Sequence, residues 1–331
     1  MEIIFHLVLF LSSAVFLWFF AGLLIDATNT VARKLKRNSF TVAFFVLGFL
    51  TSIGELSIMI NSVINGTPQI AAGNTIGSSF VILLFIIPVL AIVGRGIRLE
   101  NALSMKQLAA ALLVVVLPVL FILDGQVQVI EGVVGLLVYL MLIVLLQKPH
   151  RRWWWQKKPE SATEIVEDVE EELHSEEKAT KYDFARIVFG GIVIFLAGSV
   201  LVDETVYFSE LLSIPSSIIG LLLLSISTNV PELIIAVRAV KKGNANVALG
   251  NYLGSAVANT VIFSFLALFT GTFAIFAGNG LSFTSVLMVV GLILFYLFSR
   301  SKNDISRKEG VVLASFYAVL ILSHFINYFW I

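Results

Sequence analysis

Residues 44–83 read FFVLGFLTSIGELSIMINSVINGTPQIAAGNTIGSSFVIL, and residues 221–260 read LLLLSISTNVPELIIAVRAVKKGNANVALGNYLGSAVANT. The two stretches align without a gap at a shift of 177 residues and share 12 identities. Several identities fall on polar residues or glycines, including Thr51/Thr228, Glu55/Glu232, Gly77/Gly254 and Ser78/Ser255. Apolar composition alone would not align such positions, so the chain contains an internal repeat.

The composition around this repeat is that of a membrane protein. Hydrophobic residues make up 58% of the chain, charged residues 13%, and the mean hydropathy is +0.95, values outside the range of soluble proteins. Apolar runs near the roughly 20 residues that cross a bilayer occur at about residues 3–25, 39–64, 69–94, 107–123, 125–147, 185–202, 212–237, 244–273, 281–299 and 310–331. We therefore predict an all-α polytopic membrane protein with ten transmembrane helices.

The basic residues predict the orientation of these helices. All 22 Lys and Arg residues fall in alternate loops, and short cytoplasmic loops are the ones that retain positive charge. Both termini are therefore expected outside, with the central linker in the cytoplasm. The outer connections, such as residues 65–69 and 203–215, contain no Lys or Arg.

The odd number of helices between the two copies makes the repeat an inverted one. We predict a first five-helix repeat in residues 1–147, an acidic cytoplasmic linker in 148–184 and a second five-helix repeat in 185–331. The motif helices are expected at about 39–64 and 69–94 in the first repeat, and at about 212–237 and 244–273 in the second. Inverted repeats of this kind place substrate sites at their interface near the middle of the bilayer and support alternating access.

Two acids lie inside the predicted membrane helices. Glu55 and Glu232 occupy matched repeat positions, where an ionised carboxylate without a partner is costly. No Lys or Arg is expected at that depth, so a bound metal cation between the two carboxylates is one source of compensating charge. A protonated structural glutamate that is hydrogen-bonded within the bundle is the alternative.

Residues with neutral oxygens flank both acids, and such oxygens are the ligands that hard cations require. Thr51 and Ser52 share a helix face with Glu55, and Thr228 and Asn229 share one with Glu232. Ser78 and Ser255 lie in the following helix of each repeat. Gly54 and Pro231 directly precede the glutamates and loosen the helix, which frees backbone carbonyls one turn back. A simple helix kink is the alternative interpretation of Gly54 and Pro231.

Asn61 and Ser62 lie near the outer end of the helix that contains Glu55 and are candidates for lining an entry path.

At these residues the sequence resembles the cation/calcium exchanger superfamily, and specifically its sodium/calcium exchanger branch. Each repeat of that family has a G-T-S-x-P-E element on one helix and a G-N-x-x-G-S-N element on the next. Here the elements read TSIGE at 51–55 with GNTIGSS at 73–79, and STNVPE at 227–232 with GNYLGSA at 250–256. The resemblance implies that Glu55 and Glu232 bind both calcium and sodium. It also implies that the flanking sites are completed by Thr51, Thr228, Ser78 and Ser255.

The departures from the family pattern fall on positions expected to bind ions. Gly54 replaces the first proline, and Ser79 and Ala256 replace the asparagine after G-S. Where the family commonly has Asn in the first repeat and an acid in the second, this chain has Ile82 and Asn259. Ile82 cannot bind an ion, while Asn259 remains a neutral candidate ligand. The cavity then holds two formal negative charges, and we expect an exchange ratio other than three sodium ions per calcium ion.

The leading hypothesis is a secondary cation antiporter that exchanges sodium for calcium by alternating access between Glu55 and Glu232. The alternatives are a proton-coupled or otherwise altered cation exchanger, and a channel-like or non-transporting member of the fold. We expect no enzymatic activity, because no nucleophile–base pair, phosphate loop or His-rich metal set is present, and we expect no cofactor. The expected partners are calcium ions, sodium ions and the lipid bilayer, without nucleic acid. The protein is expected to function as a monomer in the plasma (inner) membrane.

Overall fold

The structure is a computed structural model that describes residues 2–32, 51–98, 104–147, 181–229, 233, 245–275, 279–302 and 304–329. These ranges contain ten helices. In chain order they are α1 (Glu2–Ala32), α2 (Ile53–Ile64), α3 (Pro68–Val93), α4 (Met105–Phe121), α5 (Val129–Gln147), α6 (Lys181–Leu212), α7 (Ser216–Asn229), α8 (Ala245–Thr270), α9 (Asn279–Lys302) and α10 (Arg307–Phe329). The predicted all-α fold with ten helices is confirmed.

Burial separates central helices from peripheral ones. Seven of the described helices are long and apolar enough to cross a membrane. Helices α3 and α8, which carry the glycine-rich motifs, are mostly buried, whereas α1 and α5 expose large apolar side chains such as Phe5, Phe16 and Met141. Such exposed apolar faces suit lipid contact. The motif helices therefore form the centre of the bundle.

Two short strand pairs connect the halves of the chain. β1 (Ile97–Arg98) follows α3 and pairs with β4 (Asp304–Ile305), between α9 and α10. β3 (Phe273–Ala274) follows α8 and pairs with β2 (Gln126–Val127), between α4 and α5. Each pair joins the end of a motif helix in one repeat to the connection between the last two helices of the other. The two pairs are thus equivalent under the internal repeat.

Helix α6 is longer than the sequence predicts. Residues 203–215 were expected to form an outer loop, but the helix continues to Leu212, and the motif helix α7 begins at Ser216 instead of near residue 212. No Gly or Pro occurs between Val202 and Pro215, so nothing in the backbone stops the helix at the last apolar run. The next residue, Ser213, has a φ of 55°, in the left-handed region, and stops the helix. Hydropathy predicts the end of the apolar run, whereas helix α6 itself continues beyond that run.

Helices α3 and α7 touch through their backbones. A Cβ on Gly73 would overlap the carbonyl oxygen of Ser217, and a Cβ on Gly77 would overlap the carbonyl oxygen of Leu221. The contact is reciprocal, because a Cβ on Gly220 would collide with the carbonyl oxygen of Ile70. Small residues at such crossings let membrane helices approach closely. This approach brings the polar residues of α3 next to those of α7.

The Gly77→Ala variant is expected to unfold at a lower temperature than the parent protein. The added methyl group meets backbone, which cannot rotate away, and overpacking of this kind costs about 1–3 kcal/mol. Gly191→Ala is the matched control, since a Cβ at that helical glycine meets nothing within 4 Å and alanine is the better helix former. Thermal unfolding in detergent measures both variants. Equal unfolding midpoints for the parent and Gly77→Ala would contradict the close contact.

Candidate functional site

Glu55 lies at a break in the second membrane segment. Thr51 is helical, Ser52 is a turn residue with φ −86° and ψ 19°, and α2 begins at Ile53. Glu55 therefore stands in the first turn of α2, where the helix dipole favours negative charge. Gly54, at the place of the family's proline, packs directly against Leu17 of α1. The predicted loosening of this segment is present, and its centre is at Ser52.

The Glu55 carboxylate is buried among neutral side chains from both repeats. It is 3% exposed, Ser78 Oγ donates to its Oε1 at 3.3 Å, and Asn229 Nδ2 lies 3.5 Å from the same oxygen. Ser78 Oγ is also 3.4 Å from Thr228 Oγ1. These distances exceed the usual 2.7–3.2 Å range for N–H donors and are long for O–H donors, so the contacts are weak. Among the described residues, the structure thus brings α2, α3 and α7 together around one carboxylate, and its contacts with Ser78 and Asn229 are long.

Asn229 contacts this cluster through its amide nitrogen. Its Nδ2 donates to Ser225 O at 2.7 Å and to Thr228 Oγ1 at 3.2 Å. Its Oδ1 is buried and has no hydrogen-bond partner among the described residues. A turn of π-helix, Gly220–Leu224, directly precedes Ser225, and such turns are frequent at functional sites. These bonds fix the amide nitrogen, so the buried Oδ1 is the amide atom left to bind a ligand.

A second polar contact repeats the first on the opposite side. Ser52 Oγ lies 3.0 Å from Ser255 Oγ of α8, and both side chains are buried. The 177-residue shift relates Ser52 to Asn229 and Ser255 to Ser78. In each case a serine from one repeat meets the polar pair that precedes the glutamate of the other repeat. The two halves of the site are therefore copies that both repeats build together.

Two of the departures from the family pattern, Ile82 and Asn259, have different surroundings. Asn259 stands one helical turn beyond Ser255, is 1% exposed, and neither amide atom has a hydrogen-bond partner within the described ranges. Ile82 is fully buried in the apolar core. An unpartnered amide is a usable cation ligand, whereas the isoleucine contributes only packing. The assignment of Asn259 as an ion ligand stays a prediction.

Glu232 lies outside the described residues, as do Pro231 and residues 148–180 of the linker, so the predicted pairing of Glu55 with Glu232 stays a prediction. In the part of the chain that the structure describes, no group of three or more His, Asp or Glu side chains is arranged to hold a metal ion. The polar groups around the Glu55 carboxylate are the hydroxyls of Ser78 and Thr228 and the amide of Asn229. Such a set suits hard cations and not zinc or copper.

Several structural contacts were not predicted from the sequence. Ser57 Oγ donates to Ile194 O at 2.9 Å, and Asn61 Nδ2 donates to Phe195 O at 3.0 Å, so both residues tie α2 to α6. Asn61, a candidate for an entry path, is therefore a helix-packing residue. His6 Nδ1 of α1 lies 2.8 Å from Glu204 Oε2 of α6, a polar contact that joins these two helices. Only knowledge of which helices are neighbours reveals these contacts.

The family model and a curated relative both have sodium/calcium exchanger descriptions. The family described as sodium/calcium exchanger protein matches residues 5–147 and 182–325. Sodium/calcium exchanger MaX1 of Methanosarcina acetivorans is 34% identical over 142 residues, which is 42% of this chain and 40% of that relative's length. The uncharacterized membrane protein MJ0091 of Methanocaldococcus jannaschii is 24% identical over 95% of this chain and 96% of its own.

Solved structures share the fold. A structure of the sodium-calcium exchanger NCX_Mj matches with a TM-score of 0.61 and 23% identity, covering 97% of this chain and 99% of its own. The structure of the H+/Ca2+ exchanger CAX matches with a TM-score of 0.72 and 14% identity, covering 96% of this chain and 82% of its own. At these identities the two likenesses bear on the fold alone.

Proposed function

We propose that this chain, which belongs to the sodium/calcium exchanger protein family, is a secondary active antiporter that exchanges sodium for calcium by alternating access. One observation carries the proposal. Glu55 is buried between the two repeats, its neighbours are neutral hydroxyl and amide groups from α3 and α7, and no Lys or Arg bonds to it within the described residues. A carboxylate at that depth needs positive charge, and a mobile cation supplies it.

The proposed mechanism follows from the cost of moving a bare negative charge through the membrane. Glu55 supplies charge to the bound cation, and the oxygens of Ser78, Thr228 and Asn229 replace part of its hydration shell. Thr51, Ser52, Ser255 and Asn259 are proposed to serve the second half of the site, with Glu232 as the other carboxylate. The opening of the cavity then switches from one side of the membrane to the other only when its carboxylates are neutralised. That requirement converts the carrier into an exchanger.

The remaining properties are proposed on sequence grounds. The Lys and Arg distribution supports a plasma (inner) membrane protein with both termini outside and the linker 148–184 in the cytoplasm. The boundaries of the two repeats, 1–147 and 185–331, rest on the same pattern. We propose that the protein is not an enzyme and acts as a monomer, since each half of the site is completed within one chain.

Proton-coupled exchange is the second candidate. It is supported by the replacement of one family acid with the neutral Asn259, since this removes one negative charge from the cavity. Against it, the G-N-x-x-G elements have Gly77 and Gly254 where proton-coupled relatives usually have an acid. Sodium coupling is therefore the proposed reaction.

Calcium uptake into proteoliposomes tests the proposal. Vesicles loaded with sodium and diluted into sodium-free buffer containing radioactive calcium are expected to accumulate calcium. Vesicles with sodium equal on both sides are the control and should not accumulate it. Uptake driven equally well by a pH gradient without sodium would favour the proton-coupled candidate. Calcium entry that only equilibrates, without accumulation, would indicate a channel and contradict both exchange reactions.

A further inference from the structure

Asn74 in α3 is a buried polar residue that the proposed site does not use. Its side chain is 0% exposed, and neither Nδ2 nor Oδ1 has a hydrogen-bond partner in the described part of the chain. Buried amides are otherwise almost always bonded, because an unsatisfied one is costly. The neighbouring Thr75 follows that rule, since its hydroxyl donates to Ala71 O at 2.9 Å. The cost at Asn74 therefore requires an explanation.

The position of Asn74 provides one. Asn74 precedes Ser78 by one helical turn, so the two side chains share a face of α3, and Ser78 Oγ contacts Glu55. Helix α3 begins at Pro68, which places Asn74 between that helix end and Glu55. At about 1.5 Å of rise per residue, it lies about 6 Å from Ser78 along the helix axis and about 9 Å from Pro68. A cation that enters from the Pro68 end passes this level before it reaches Glu55.

Helix α2 carries a matching feature on the same side of the site. Ser62 Oγ is buried and has no hydrogen-bond partner among the described residues. Ser62 follows Glu55 by seven residues, or about two helical turns, so it lies on the same face of α2. The turn 65–67 joins this end of α2 to the Pro68 end of α3. Unsatisfied polar groups thus continue from Glu55 toward that end on both helices.

We propose that Asn74 forms a further cation subsite, at which a partly hydrated cation pauses between the Pro68 end of the bundle and Glu55. The inference deepens the proposed exchange function and rests on it. The Asn74 Oδ1 atom offers a neutral ligand for a hard cation, and its Nδ2 donates to a water molecule that the cation retains. The subsite serves exchange with the predicted outer side of the membrane.

The test compares the two sides of the membrane in Asn74→Leu, a substitution of similar size that removes the amide. Sodium-driven fluxes of radioactive calcium are measured in right-side-out and in inside-out membrane vesicles. The calcium KM on the Pro68 side is expected to rise about tenfold, the effect of losing one polar contact to an ion. The KM on the opposite side should change less than twofold. The cation-free protein should be at least as heat-stable as the parent, because an unsatisfied amide has been removed.

Thr75→Val is the matched control, since it removes an adjacent buried hydroxyl whose bonds stay within α3. Equal KM values on both sides for Asn74→Leu and the parent would overturn the subsite. A fall in thermal stability with equal loss of flux in both directions would also overturn it, because that result is typical of a packing residue. If Asn74→Leu does not fold, Asn74→Asp decides: it should lower the KM on the Pro68 side, and an unchanged KM refutes the inference.

The failure of the inference is distinguishable from that of the proposed function. A parent protein that carries no sodium-driven calcium flux in either vesicle orientation refutes the exchange function and the subsite with it. A parent that exchanges normally while Asn74→Leu behaves identically refutes the subsite alone.

Discussion

The Glu55→Gln variant is expected to lose sodium-driven calcium uptake while it keeps its fold. Glutamine has nearly the same shape, and its carbonyl oxygen still accepts from Ser78 and Asn229, so the contacts that surround the residue are preserved. The negative charge is lost, and with it the main attraction for a divalent cation. Removing one partner of a buried charge pair costs about 2–5 kcal/mol, which is about 30-fold or more in affinity.

The measurement is radioactive calcium uptake into sodium-loaded proteoliposomes, with the amount of inserted protein matched between variants. Glu210→Gln is the control, because Glu210 is an exposed acid near the end of α6 and its neutralisation should leave uptake unchanged. Thermal unfolding in detergent establishes that both variants are folded. A Glu55→Gln variant with parental uptake would mean that this carboxylate is a structural, protonated group, and the proposed site would be wrong.

The sequence predicts the bundle well because lipid imposes a simple rule on it. Each crossing segment must be apolar and helical, so hydropathy locates the helices and leaves few alternatives. The rule applies only inside the hydrocarbon layer. Helix α6 continues about ten residues beyond its predicted end, through Asp203 and Glu204 to Leu212, since helical hydrogen bonds do not depend on lipid.

The repeat, and not hydropathy, relates the polar contacts to one another. An inverted repeat predicts that the motif residues lie at a shared interface, but it leaves open which helices touch. The structure places Ser78 near Thr228 and Asn229. The 177-residue shift relates this contact to that of Ser255 with Ser52. Periodicity within one helix would not have predicted either contact.

Contacts that lack a repeat partner could not be predicted. Ser57 and Asn61 donate to carbonyls of α6, and Gly198 is what allows the approach, because a Cβ there would overlap Ser57 Oγ. At the positions shifted by 177 residues the chain has Ile234 and Arg238, so no internal comparison marks them. Asn74 is the opposite case. It is identical across the repeat, as Asn251, yet only its burial without a partner indicates a role beyond the glycine-rich motif.

Calcium uptake by the parent protein is expected to be insensitive to membrane voltage. Asn259 and Ile82 are neutral, so the proposed cavity contains the charges of Glu55 and Glu232 alone. Two negative charges are balanced by one calcium ion or by two sodium ions, and an exchange of these loads moves no net charge. A cycle that moved one net charge would change the driving force by about 2.3 kcal/mol per 100 mV, or about 50-fold in calcium accumulation.

Potassium gradients with valinomycin set the voltage across the proteoliposome, and calcium accumulation is measured at both polarities. For the parent, equal accumulation at both polarities is expected. Asn259→Asp places a third negative charge beside the site, one helical turn from Ser255, and should allow a third sodium ion to bind. Its uptake is expected to become voltage-dependent, whereas the neutral control Asn259→Ser should stay insensitive. Voltage-dependent accumulation by the parent would show that a third charge crosses the membrane with the ions, and the two-carboxylate cavity would then be an incomplete description of the site.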